Sequence, residues 1–194
     1  YGAKQEEEVQ KAVHTAIAMT LILAVVFTLL GIGLTPALLE LTRMPDSVKK
    51  EATTYLTIYF GGVIGLMLYN IGAGILRAVG DSKRPFYYLV VCAVLNTGLD
   101  LLFILVLGME GAVGVALATV LSQCVSAALV LITLLRANNC VRLRLPRLKL
   151  HWSVLKKIFY VGIPAALQLS VTAFSNIFVQ SYINHFGSDV MSGW

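Results

Sequence analysis

The sequence predicts an all-α fold, a polytopic transmembrane helix bundle, and three observations predict it. Hydrophobic residues make up 58% of the 194 residues and charged ones only 13%, where soluble domains hold roughly half and about a quarter. Mean hydropathy is +0.81. The charges are also clustered, leaving five long runs almost free of Asp, Glu, Lys and Arg, at residues 12–39, 52–76, 85–109, 111–135 and 158–188. A helix crosses the hydrocarbon core with about 20 apolar residues, so each run is long enough, with some excess for tilt. Transmembrane strands would show polar and apolar residues alternating over about 10 positions, and no run does.

The elements follow in order. The acidic Glu6, Glu7 and Glu8 read as a solvated approach to the first span. His14, near the start of that span, is expected at the interface. In the second span Gly61, Gly62, Gly65, Gly72 and Gly74 read as sites of close helix contact. A short GMEG loop makes the third and fourth spans antiparallel neighbours. Residues 136–157 form the longest connection, and its VRLRLPRLKL stretch alternates basic and apolar residues, an interfacial pattern whose cations meet anionic lipid heads. Trp152 falls at headgroup level, where Trp is favoured. In the fifth span Gly162 and Pro164 are expected to interrupt the helix near its start, the kind of break that marks a cavity-lining helix. Cys92, Cys124 and Cys140 show no metal-binding spacing, and Cys92 and Cys124, which fall in spans, read as packing residues. The chain opens at Tyr1 without an initiator Met and stops at Trp194 just past a span, which suggests a piece of a longer protein.

Orientation follows from the loops. Twelve Lys and Arg lie on the side that holds the N-terminus and three on the other, so the positive-inside rule puts the N-terminal side in the cytoplasm. The net charge of +5 follows from that topology and carries no implication of nucleic-acid binding.

One carboxylate stands out. Asp100 lies within the apolar third run, where an ionised group costs several kcal/mol or more and is a functional hypothesis by default. At about 1.5 Å rise per residue it sits roughly 13 Å from the outer end of its span. Asn96 is one turn deeper on the same face. In the fourth span Thr119 falls level with Asp100 and Gln123 level with Asn96. These four offer oxygen in one patch. A carboxylate with neutral oxygen donors suits a hard monovalent cation such as Na⁺; the same carboxylate could instead carry a proton, or simply hold helices together through hydrogen bonds. A single carboxylate with no paired His or Cys argues against metal catalysis, and no nucleophile–base pair marks an enzyme. Asn176, flanked by Gln168 and Gln180 in the fifth span, is a candidate for lining a cavity or for hydrogen bonding between helices.

The turn between the second and third spans reads GAGILRAVGDSKRP, residues 72–85. Gly80 is expected to end one helix, Asp81 or Ser82 to cap the next, and Arg77 to reach Asp81. The same stretch resembles the signature R-x-x-G-D-x-x-x-P of the multidrug and toxic compound extrusion (MATE) transporters, matched by Arg77, Gly80, Asp81 and Pro85. The resemblance continues through LNTGLDLLF, GAVGVALATVLSQ and VGIPAALQLSVTAFSNIFVQSYINHFG, and YGAK at the start is similar to the loop after that family's second helix.

The resemblance implies twelve helices in two lobes, of which these five spans would be helices three to seven. Residues 1–135 would belong to the N-lobe, 136–157 would be a cytoplasmic basic interlobe linker, and 158–194 would open the C-lobe. It implies a cation site in the first lobe, built here from Asp100, Asn96 and Thr119. The helix-one acid of that site lies outside this chain. No acidic residue occurs between 158 and 188, which argues against a second-lobe mechanism found in another branch. The implied activity is a Na⁺- or H⁺-coupled antiporter that exports organic, often cationic, compounds across the cell membrane, with the lipid bilayer, a small organic substrate and the remaining helices of the full-length transporter as partners and no nucleic acid. No cofactor is expected, and no Walker motif points to ATP. The alternatives are a lipid-linked oligosaccharide flippase of the same superfamily, whose cavity should be more cationic than spans without Lys or Arg allow, and a non-transporting membrane scaffold.

Overall fold

The computed structural model of the chain describes residues 2, 4–41 and 46–184. Every regular element among them is helical: α1 Glu6–Leu41, α2 Asp46–Gly61, α3 Val63–Ala78, α4 Lys83–Leu101, α5 Gly111–Arg136 and α6 Trp152–Asn184. Two short turns of helix add to these, a wide π-type turn at Leu102–Val106 and a 3-10 turn at Leu145–Arg147. The chain divides into two compact units, residues 1–151 and 152–194.

In the first unit α5 is the central helix. It packs against α2, α3 and α4, while α1 packs on α2 and α3. Its buried face is built from small residues, Gly114, Ala116, Ala118, Ser122, Ser126 and Ala127, and ends on Val130 and Leu134. Small side chains let backbones approach closely where lipid supplies no hydrophobic drive between helices. Three of the five span-two glycines use that freedom against α5. A Cβ on Gly62 would overlap the Val120 side chain, one on Gly72 would overlap Val130, and one on Gly65 would lie 3.1 Å from the backbone N of Cys124. Gly61 and Gly74 have open space beside them. The large apolar side chains face outward: α4 exposes Phe86, Leu89 and Val94, and the wide turn after it exposes Leu105. That is the inversion expected when the solvent is hydrocarbon.

The second expected span is not one continuous helix. It breaks at Gly62, where α2 and α3 meet at a bend of 42°. The Phe60 carbonyl at the break accepts a hydrogen bond from Thr28 Oγ1 of α1, at 2.9 Å. The Phe60 ring covers Gly31, leaving no room there for a Cβ. Broken backbone inside a membrane persists only where neighbours satisfy it, and α1 does so here. The third span also departs from expectation. Its α-helical part stops at Leu101, the wide turn carries it to Val106, and Leu107 N–H donates to Leu102 O at 3.0 Å.

The expected break in the fifth span is absent: α6 runs through Gly162 and Pro164 to Asn184. This helix begins at Trp152, so Lys156 and Lys157 belong to it and not to the linker, and Lys156 Nζ lies 5.6 Å from the centre of the Trp152 ring.

The turn at 77–85 is built as its sequence suggests, with one exchange of partners. Gly80 takes φ +90°, and Asp81 N–H and Gly80 N–H donate to Leu76 O and Arg77 O, both at 3.0 Å. This is a Schellman end, which needs a left-handed residue that glycine supplies without strain. Asp81 Oδ1 accepts from Arg84 N–H at 3.2 Å, so Asp81 caps α4, and its Oδ2 lies 3.4 Å from Arg84 Nε. The arginine paired with Asp81 is therefore Arg84, not Arg77: Arg84 shares the first turn of α4 with the cap, while Arg77 is exposed. Pro85 is buried, and its carbonyl accepts from Tyr69 OH at 2.9 Å, which ties α3 to α4.

His14 does not face the exterior, as an interfacial residue would, but is buried within the protein. It is 3% exposed. Its Nδ1 lies 2.7 Å from Gln10 O and its Nε2 accepts Arg144 N–H at 3.0 Å, which requires the hydrogen on Nδ1. The segment after α5 is accordingly strapped down. Leu143 N–H donates to Leu134 O at 2.9 Å, and His151 N–H lies 3.2 Å from Thr15 Oγ1. Cys140, Val141 and Leu143 join Val13, Ile17, Leu76, Val130 and Leu134 in the buried core. The alternation seen in VRLRL sends Val141 and Leu143 inward and Arg142 and Arg144 outward.

Candidate functional site

The patch inferred from depth forms in part. Asn96 Nδ2 of α4 donates to Thr119 Oγ1 of α5 at 3.4 Å, so the two helices do meet at that level. Asp100 is one turn along α4 from Asn96, and its Oδ1 is shut off from the exterior with no hydrogen-bond partner among the described residues. An orphaned buried carboxylate oxygen forgoes about 1–3 kcal/mol, more when charged, so Asp100 Oδ1 is left open to a further partner. Asn96 keeps its carbonyl oxygen, and Thr119 a lone pair, for a further partner. Those three oxygens fit a hard cation of low charge. No group of three or more His, Cys, Asp or Glu that could hold a transition metal exists among the described residues. Gln123 is half-buried and makes no hydrogen bond to this group.

Sequence reasoning missed two things here. The first is the break at Gly62, which touches Val120, the residue next to Thr119, and so lies at the same depth as the patch; the Gly61-Gly62 pair was its only signal. The second is the wide turn that begins two residues after Asp100, for which LLFILV carries no sign. Such turns cluster at functional positions in helices. Below the patch a polar seam joins α4 to α5: Tyr88 OH lies 2.6 Å from Thr133 Oγ1, and Ser126 Oγ donates to Tyr88 O at 3.2 Å. On α6, Gln168 and Asn176 are exposed, and the Gln180 side chain lies outside the described residues.

A multi-span bundle with small-residue packing, a broken span and an unpaired carboxylate oxygen within a membrane-length helix defines a polytopic membrane protein. The chain belongs to the MatE family, whose model matches residues 1–102, and members of that family are transporters, not enzymes. The chain is 34% identical over 206 residues to the "Probable multidrug resistance protein YoeA" of Bacillus subtilis (strain 168), an alignment that covers 100% of this chain and 43% of that protein. Its fold matches a solved inward-facing conformation of a multidrug resistance MATE family transporter of the MOP superfamily, at TM-score 0.78 and 32% identity over 86% of this chain and 38% of that one. It matches an outward-facing conformation at TM-score 0.79 and 30% identity over 89% of this chain and 38% of that one. The chain thus spans about two fifths of the length of these relatives.

Proposed function

We propose that the complete protein is a cation-coupled exporter of small organic compounds in the cell membrane, with its basic end in the cytoplasm, and that Na⁺ or H⁺ acts at Asp100. In this reading residues 1–135 belong to the first lobe, the segment after α5 leads to the second, and α6 opens that second lobe. The carrying observation is the unpartnered Asp100 Oδ1 beside the Asn96–Thr119 hydrogen bond. A cation entering there gains the carboxylate, the Asn96 carbonyl and the Thr119 hydroxyl, and a proton would discharge the same carboxylate. Either event removes a buried unpaired charge and so favours whichever packing of the helices encloses Asp100. Coupling needs cation and substrate to prefer different packings. The near-equal likeness to inward- and outward-facing relatives, 0.78 and 0.79, supports a lobe that keeps its internal shape while access alternates.

The test is efflux of a fluorescent organic cation from cells carrying the full-length gene, wild type beside Asp100→Asn at equal membrane expression. Loss of efflux in the variant is expected, and replacing Na⁺ in the medium then separates Na⁺ from H⁺. Equal efflux would make Asp100 a packing residue.

A further inference from the structure

The strapped segment after α5 builds a cavity of about 480 Å³ that the transport reading does not use. Arg142, Arg144 and Arg147 line it, together with Leu135, Leu145 and Pro146. None of the three arginines forms an ion pair among the described residues. Three neighbouring cavities at this end each include a carboxylate, from Glu6, Glu7 or Asp81; this one has none.

Its backbone is held on both sides. Leu143 N–H is bound to Leu134 O, Arg144 N–H to buried His14, and Arg147 N–H to Arg144 O at 2.8 Å. Arg142 and Arg144 are two residues apart in extended chain and so share a face, while the tight turn at Leu145–Arg147 brings the third guanidinium round. The cavity begins at Leu135, beside the last residue of the membrane-length helix α5, which is the level of lipid headgroups. Leu145 is 59% exposed beside it, a cost in water but a gain against acyl chain or glycerol.

We propose that this cavity is a binding site for the phosphate of an anionic phospholipid headgroup. Guanidinium forks suit phosphate oxygens, and basic pockets at the end of transmembrane helices are where such headgroups dock. The apolar wall favours a lipid over a free anion. Occupancy would pin the segment after α5 to the membrane surface and leave its His14 strap undisturbed.

The experiment uses the full-length protein in detergent, with retention of added phosphatidylglycerol or phosphatidylcholine read by native mass spectrometry. Four forms are compared: wild type, the triple variant Arg142→Gln/Arg144→Gln/Arg147→Gln, the triple variant with Lys at the same three positions, and the control Lys83→Gln/Lys156→Gln/Lys157→Gln, which removes equal charge outside the cavity. Each arginine near the surface contributes roughly fivefold, so the Gln triple is expected to lose phosphatidylglycerol retention by on the order of a hundredfold. The Lys triple should keep most of it, the control should match wild type, and phosphatidylcholine retention should be equal in all, which also shows that the variants fold. Excess inorganic phosphate should not displace the lipid. Equal retention by wild type and the Gln triple, or an equal loss in the control, would overturn the site. Displacement by inorganic phosphate would overturn the lipid as its occupant.

Discussion

The contact between Gly62 and Val120 offers the sharpest test of how α2, α3 and α5 are held at the level of the candidate site. An ideal Cβ placed on Gly62 overlaps both methyl groups and the Cβ of Val120, so Gly62→Ala must push one helix away from the other. Overpacking of this kind costs about 1–3 kcal/mol. The obstacle is a side chain and not backbone, and that makes the cost reversible. Val120→Ala removes the two methyls that the new Cβ meets, and alone it should cost about 1 kcal/mol or somewhat more, as other large-to-small changes do. The double variant should therefore be more stable than the sum of the two singles predicts, by an interaction of roughly 1–2 kcal/mol. Thermal unfolding of the full-length protein in detergent, followed for all four members of the cycle, measures it. Gly74→Ala, with open space beside it, serves as the neutral control. Strict additivity, or a Gly62→Ala variant as stable as the Gly74→Ala one, would refute the close approach. Because Val120 neighbours Thr119, Gly62→Ala should also weaken any Na⁺-dependent stabilisation that wild type shows, and the second change should restore it.

Two further outcomes follow from single contacts. Thr28→Val removes the donor to the Phe60 carbonyl at the break and should lower stability by about 1 kcal/mol, in the range of hydrogen bonds between membrane helices; an unchanged unfolding temperature would mean that the break is satisfied without α1. His14→Phe keeps a buried ring but takes away the acceptor for Arg144 N–H. It should cost about 1–3 kcal/mol and speed amide hydrogen exchange over residues 142–148, while exchange that stays as slow as in wild type would show that the strap does not depend on His14.

What the sequence by itself determined is the class of the fold, the membrane-length segments (four helices among the described residues, five if the bent pair α2–α3 counts as one span) and the approximate level of the polar group. Five runs of membrane length, a count of basic loop residues and a fixed rise per residue are enough for that, because a chain in hydrocarbon must satisfy its backbone within each helix. The depth estimate placed Asn96 level with Gln123 and Asp100 level with Thr119; the structure joins Asn96 to Thr119 instead, one turn along α5 from the expected partner. The turn at 77–85 was legible for the same reason: a left-handed glycine and a capping carboxylate act over four residues.

Tertiary structure alone decided the rest. A glycine pair does not say whether a helix continues, and the helix breaks at Gly61-Gly62 where Val120 fills the space beside Gly62 and Thr28 takes the Phe60 carbonyl. Gly162 and Pro164 carry as strong a local signal, yet α6 passes through them. His14 looked interfacial because its strap partner lies 130 residues away. The basic segment after α5 looked like a simple lipid-facing linker, but half of its alternating pattern is core. Local pattern fixes which faces are apolar; which neighbour covers each face is set by contacts far apart in the chain.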